Sequence, residues 1–242
     1  MNMRKSLLLF FAMLLSFMLG GCLYPDENLN QNEQPYEDQL QSVQLAVDQF
    51  QTEEDGILPI KTKEGDPDLY EKYPIDFSKI SPRFMAEPPG NAFESGGIYQ
   101  YVLVDVETDP AVKLIDLRIA EQIRSINIRL IAHEYPPFKD TLADNVYSLD
   151  FKELGFEDEP YVTSPYSGKQ LPLVMSGDGT LYIDYAADLY AALQETDTPP
   201  APGDDIRYLL VQSLPFVPAY SLPYTVDAQG EPIFMNKKQK SE

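Results

Sequence analysis

One cysteine, one histidine and no tryptophan serve 242 residues. A single cysteine, Cys22, excludes an internal disulfide, so the fold must rest on a packed core. One histidine, His133, and no second cysteine exclude a Cys/His zinc site. A Ser-His-Asp or Cys-His nucleophile would have to recruit that one histidine as its base. His133 falls at the predicted end of a helix, where a cationic residue suits the helix dipole. No G-x-S-x-G, G-x-x-x-x-G-K or H-E-x-x-H stretch occurs. Basic residues are scarce as well, 18 Lys and Arg against 39 Asp and Glu, for a formal charge of −21. A chain so acidic is repelled by nucleic acid and by anionic headgroups, so neither is an expected partner. Hydrophobic residues make up 43% of the chain, which is enough for a sizeable core.

Long apolar runs are also missing, apart from Leu7–Leu19, broken by Ser16. Arg4 and Lys5 precede that run, and Gly20-Gly21-Cys22 follows it. A basic start and an apolar stretch of about 7–15 residues describe a secretory signal, since a spanning helix needs about 20. Leu19-Gly20-Gly21-Cys22 resembles the bacterial lipobox, in which a small residue precedes a cysteine. The resemblance implies that Cys22 receives a diacylglyceryl group with palmitate-type chains and becomes the first mature residue. Two acyl chains suffice for stable anchoring where one does not. Residues 1–21 are thus expected to be a signal peptide and 22–39 a lipidated cysteine with a flexible, acidic tether. Loss of Arg4 and Lys5 takes the charge from −21 to −23.

The remainder reads as an α+β domain over 40–236, with a solvated tail at 237–242. Leu40, Val43, Val47 and Phe50 mark one face of a helix over about 37–52, which Gly56 ends. Ile57–Ile60 suits a short edge strand, and Ile98–Val106 a strand rich in β-branched and aromatic residues. Thr108-Asp109-Pro110 has the composition of a helix start. Ile115, Ile119, Ile123, Ile126 and Leu130 then predict one long helix over about 110–133, packed on Ile98–Val106. Ile126–Leu130 also alternates, so a strand competes there. Short strands follow at Val146–Phe151, Tyr161–Thr163, Leu171–Met175 and Thr180–Tyr185, then helices near 185–194 and 204–213. This predicts a mixed or antiparallel sheet with one long and two or three shorter helices. Tyr73–Ile80 and Tyr147–Leu154 share Y-x-[IL]-D-F-x-x-[IL], which points to a duplicated α/β unit with halves 57–135 and 136–236.

Carboxylates are the remaining source of chemistry. Asp66, Asp68, Asp178, Asp184 and Asp188 are the candidates, although none follows a twelve-residue calcium loop. Negative charge at Asp184 and Asp188 is also what a helix start favours. No cofactor or metal is called for. Sixteen tyrosines offer a second theme. Tyr166, Tyr182 and Tyr185 are the candidates for lining a glycan or peptide groove, and the loops Pro88–Gly97 and Ser164–Gly168 are the places for one.

The lipobox, PPGNAFESGGIYQYVL (88–103) and SPYSGKQLPLVMSGDGTLYIDY (164–185) together resemble uncharacterised Gram-positive YphF-like membrane lipoproteins. The resemblance implies a place, the outer face of the cell membrane, and no activity. The expected function is a non-enzymatic binding or interaction module at the membrane–wall interface, with an unknown protein or cell-envelope partner. A solute-binding lipoprotein of an ABC-type importer is the alternative, and a carboxylate hydrolase of envelope material is the second alternative.

Overall fold

The computed structural model describes residues 36–235, except 62, 64, 66 and 134. The signal segment, Cys22, its tether to residue 35 and the tail lie outside the described residues. The architecture is α+β, with antiparallel sheets throughout.

Helix α1 (Tyr36–Glu53) buries Val43, Ala46, Val47 and Phe50. Gly56, at φ +87°, turns the chain out of it. Ile60 then bridges Ile75, Pro74 bridges Val102, and strands β1 (Tyr99–Val104) and β2 (Ala111–Asp116) form a hairpin. Gln44 of α1 clamps that hairpin. Its amide donates to Pro110 O at 3.0 Å and accepts from Val112 N at 2.7 Å.

Here the structure departs from the expected helix over 110–133. Thr108–Pro110 lies in the hairpin turn, where Thr108 N donates to Asp105 O and Asp105 has φ 53°. Residues 111–116 pair with β1. Only then does helix α3 (Leu117–Ala132) begin, capped by Asp116 through Arg118 N at 2.9 Å. Ile115 fits the helical spacing by coincidence, and Ile126–Leu130 is helix rather than strand.

The element order then repeats. After α3 come β3 (Phe138–Ala143), unforeseen in the sequence, then β4 (Val146–Leu149), β7 (Leu173–Ser176) and β8 (Leu181–Ile183), in the sheet order β3-β4-β7-β8. A small hairpin, β5 (Val162–Thr163) with β6 (Gln170–Leu171), is inserted before β7. The shared octapeptide occupies the same place in both units. Asp76 accepts from Ser78 N and caps the one-turn helix α2 (Phe77–Ile80). Asp150 accepts from Lys152 N and caps the matching turn. Phe77 and Ile80 in one unit, and Phe151 and Leu154 in the other, are buried beneath.

An arginine stacks on a phenylalanine beside each capped turn. Arg83 lies 4.8 Å from the ring centre of Phe84, which packs edge-on against Phe50 of α1. Arg129 of α3 lies 4.0 Å from that of Phe156, which packs edge-on against Phe151. A third echo follows β2 and β8. Ile115-Asp116 and Ile183-Asp184 each end a hairpin with an aspartate that caps the next helix, the second through Ala186 N at 2.9 Å.

Helix α3, which the expectation places in the first half (57–135), packs forward onto the strands that follow it. Ile119, Ile123 and Ile126 join a core with Leu149, Phe151, Leu154, Leu173 and Ile183, not with Ile98–Val106, and Leu130 is only partly buried. Arg129, also on α3, donates to Leu154 O and Gly155 O.

The C-terminal third closes both units. Helices α4 (Ala186–Glu195) and α5 (Tyr208–Ser213) lead into residues 215–221, which lie parallel to β2 at Leu114–Phe216 and parallel to β8 at Ile183–Ser221. Lys113 of β2 donates to Val211 O and Leu214 O, carbonyls at the end of α5. A last hairpin, β9 (Tyr224–Val226) with β10 (Pro232–Phe234), ends the described chain.

Candidate functional site

The first turn of α3 follows directly on β2. Asp116 is buried there, and the Arg118 guanidinium grips it as a fork, with Nε 3.0 Å from both carboxylate oxygens and Nη2 2.6 Å from Oδ2. Beside them opens a cleft of about 300 Å³ lined by Asp116, Arg118, Ile119, Gln122 and Val162–Pro165.

The far wall belongs to the Ser164–Gly168 loop, one of the two expected binding loops. A single buried carboxylate holds it. Asp188 of α4 accepts from Ser164 Oγ at 2.7 Å and from Ser167 Oγ at 2.5 Å. Ser164 Oγ in turn accepts from Tyr166 N and Ser167 N. That hydroxyl donates to a carboxylate and caps a turn, which is structural work rather than the pose of a nucleophile beside a base.

The other expected loop, Pro88–Gly97, reaches the same turn through its next residue, because Leu117 N donates to Ile98 O at 2.9 Å. Gly97 is required there, since a Cβ would lie 2.1 Å from the Asn91 carbonyl. Arg118, Gln122 and Thr163 supply hydrogen-bonding groups to the cleft, and Ile119, Val162 and Pro165 supply apolar wall. That mixture suits binding of a small polar group with an apolar flank.

The other predicted residues are placed differently. None of Tyr166, Tyr182 and Tyr185 is among the residues lining the cleft. Tyr185 has no exposed surface, and its hydroxyl donates to Ala219 O at 3.2 Å, so it offers nothing to a ligand. Tyr166 packs edge-on against it and donates to Phe216 O. Tyr182, half-buried on β8, turns to the opposite side of the strand from Leu181 and Ile183.

The candidate carboxylates among the described residues hold local structure. Asp68 caps the turn Leu69–Glu71 through Tyr70 N and pairs with Arg207. Asp178 accepts from Ser176 Oγ and Thr180 N in the β7–β8 turn. Asp184 caps α4 and accepts from Tyr224 Oη at 2.7 Å. Asp66 lies outside the described residues. Among the described residues no group of three or more His, Cys, Asp or Glu is arranged to hold a metal ion. His133 ends α3, its Nδ1 2.6 Å from Tyr135 O.

Two arginines carry no site role in the sequence analysis, although a local signal marks them. Asp116-Leu117-Arg118 and Asp205-Ile206-Arg207 share D-[LI]-R. In both, the aspartate accepts from the arginine's own amide and grips its Nε and Nη2. Arg118 leaves most of its side chain in solvent, while Arg207 is sealed inside.

Burial also governs the tyrosines. It raises the pKa of Tyr70, Tyr101, Tyr166, Tyr182, Tyr185, Tyr220 and Tyr224, with Tyr101 pushed up to about 12. A folded pKa above the unfolded one favours the native state below the unfolded value and loses that contribution as pH climbs through the interval. For Tyr101 that contribution is lost between the ordinary value of 10 and about 12. The expected result is a sharp fall in melting temperature above pH 10, with phenolate absorbance from the fully buried Tyr185 and Tyr224 appearing only as the circular-dichroism signal collapses. Smooth titration of all sixteen in a still-folded chain would contradict the packing described here.

Residues 36–116 match the YphF family N-terminal domain. No curated protein and no solved structure matches the chain. The matched span runs from the start of α1 to the end of β2, and over that span the chain is similar to the YphF N-terminal domain.

Proposed function

We propose that the chain is a lipoprotein held on the outer face of the cytoplasmic membrane of a Gram-positive cell by diacylglyceryl on Cys22, and that its α+β domain binds a partner there without catalysing a reaction. The observation that carries the reading is the order of the first 22 residues: two cations, an apolar stretch too short to span, Gly-Gly, then the only cysteine. Among the described residues no helix is long and apolar enough to cross a membrane. The reading assigns attachment to the lipid, and contact with the partner to the cleft at the first turn of α3.

The binding role, rather than a hydrolytic one, draws on the employment of the carboxylates, since Asp68, Asp116, Asp184 and Asp188 each hold backbone or side chains in place. An importer's binding protein calls for two lobes around a hinge, whereas the chain from Glu37 onward forms one compact unit.

Cys22→Ala tests the anchor. The variant should accumulate as a full-length precursor or appear in the medium, and its mass should lack the diacylglyceryl increment. Unchanged mass with unchanged membrane retention would sink the reading.

A further inference from the structure

A third of the exposed large apolar side chains among the described residues fall between Ile128 and Leu142. Ile128 and Ile131 lie on the last turns of α3, Ile131 being 85% exposed. Tyr135 follows in the link, and Phe138 and Leu142 lie on β3, the edge strand of its sheet. On α3 the stripe Arg124, Ile128, Ile131 runs at spacings of four and three, opposite the buried stripe Ile119, Ile123, Ile126. The helix is therefore apolar on two sides, although only one meets the core.

Charge distinguishes this stretch too. Between Ile128 and Leu142 two cations (Arg129, Lys139) match two anions (Glu134, Asp140), a net of zero in a chain of −21. It is a face from which an anionic surface is not repelled. Exposed aliphatic side chains with Tyr and Phe nearby, and Arg or Lys in the same stretch, suit the headgroup boundary of a bilayer.

We infer that the α3–β3 face, Ile128 to Leu142, rests on the outer leaflet of the membrane. This rests on the proposed lipid at Cys22. Thirteen residues separate that cysteine from Tyr36, where α1 begins. They span at most about 45 Å, and a domain of this size is roughly 40 Å across. The anchor thus keeps the domain within a molecular diameter of the lipid while leaving any of its faces able to reach it.

The test uses the full-length lipidated chain in vesicles of equal phosphatidylcholine and phosphatidylglycerol. With Cys22 thioether-linked, a cysteine introduced by Ile131→Cys is the only thiol open to a fluorescent label. Ile57→Cys, also exposed and on the other unit, is the comparison. A nitroxide-bearing phospholipid should quench the label at position 131 several-fold more than the label at 57, and aqueous iodide should do the reverse. Adding Ile128→Lys and Phe138→Lys should bring position 131 to the level of 57.

Equal quenching at the two positions would overturn the inference. So would shielding of position 131 in native membranes but not in pure lipid, which would assign the face to a protein partner. A second labelled thiol per chain would show Cys22 unmodified. That outcome overturns the anchor and this inference with it, and it is read independently of the quenching ratio.

Discussion

Arg207→Met is expected to lower the unfolding free energy of the chain lacking its signal segment by about 3–5 kcal/mol in urea melts. The guanidinium is 2% exposed and fully engaged. Nε and Nη2 fork onto Asp205, Nη1 donates to Asp68 at 2.8 Å and to Ser221 O at 3.1 Å, and the Tyr70 ring lies 5.1 Å away. Burial works against the charge. The hydrogen bonds and field of Asp205 and Asp68 outweigh it, so the pKa is raised and the cation is secure. Methionine fills a similar volume but leaves two carboxylates facing each other and Ser221 O without its donor. Arg207→Lys should recover little, since a point charge cannot reproduce the fork. Asp68→Asn should cost less, about 1–2 kcal/mol, because Asp205 still neutralises the arginine and Asp68 is partly solvated. A loss under about 0.5 kcal/mol for Arg207→Met would mean that the cluster contributes no more than an exposed ion pair.

That cluster marks the limit of what the sequence discloses. Asp205 and Arg207 are two residues apart, and D-[LI]-R advertises their fork, just as it does for Asp116 and Arg118. Asp68 is 139 residues from Arg207, and no local pattern announces that pairing. The same contrast runs through the fold. Helix α1 and strand β1 follow from side-chain periodicity because each buries one face of a regular element. Residues 111–116 misled because Ile115 lies four residues before Ile119, and because Pro110 suits a hairpin turn as readily as a helix start.

The octapeptide echo was legible, and it does mark equivalent capped turns. Its phase was not, since α1 and α3 share no sequence pattern and only packing shows that α3 goes with the strands that follow it. The tyrosines misled for a different reason. Tyr166 and Tyr185 carry hydroxyls that look fit for a ligand, and the chain consumes both internally, on Phe216 O and Ala219 O. Strand β3 left no mark because Phe138 through Leu142 are all exposed and its register shifts twice against β4, so no alternation survives.

Ile126→Ala should cost about 2–5 kcal/mol. Ile126 is fully buried on α3, within the core that gathers Leu149, Leu173 and Ile183. Truncation removes buried methyl and methylene groups and leaves a cavity between helix and sheet, which neighbours in regular strands cannot easily fill. Ile131→Ala, at a side chain that stands in solvent, should change stability by no more than about 0.5 kcal/mol. The two isoleucines are five residues apart on one helix, so helix propensity cancels between them and packing alone separates the outcomes. Where the damage falls matters as much as its size. Since α3 belongs with the strands that follow it, hydrogen exchange in Ile126→Ala should quicken first across β4, β7 and β8, while the β1–β2 hairpin keeps its protection. Loosening of β1–β2 ahead of β7–β8 would restore the reading in which the helix packs on Ile98–Val106.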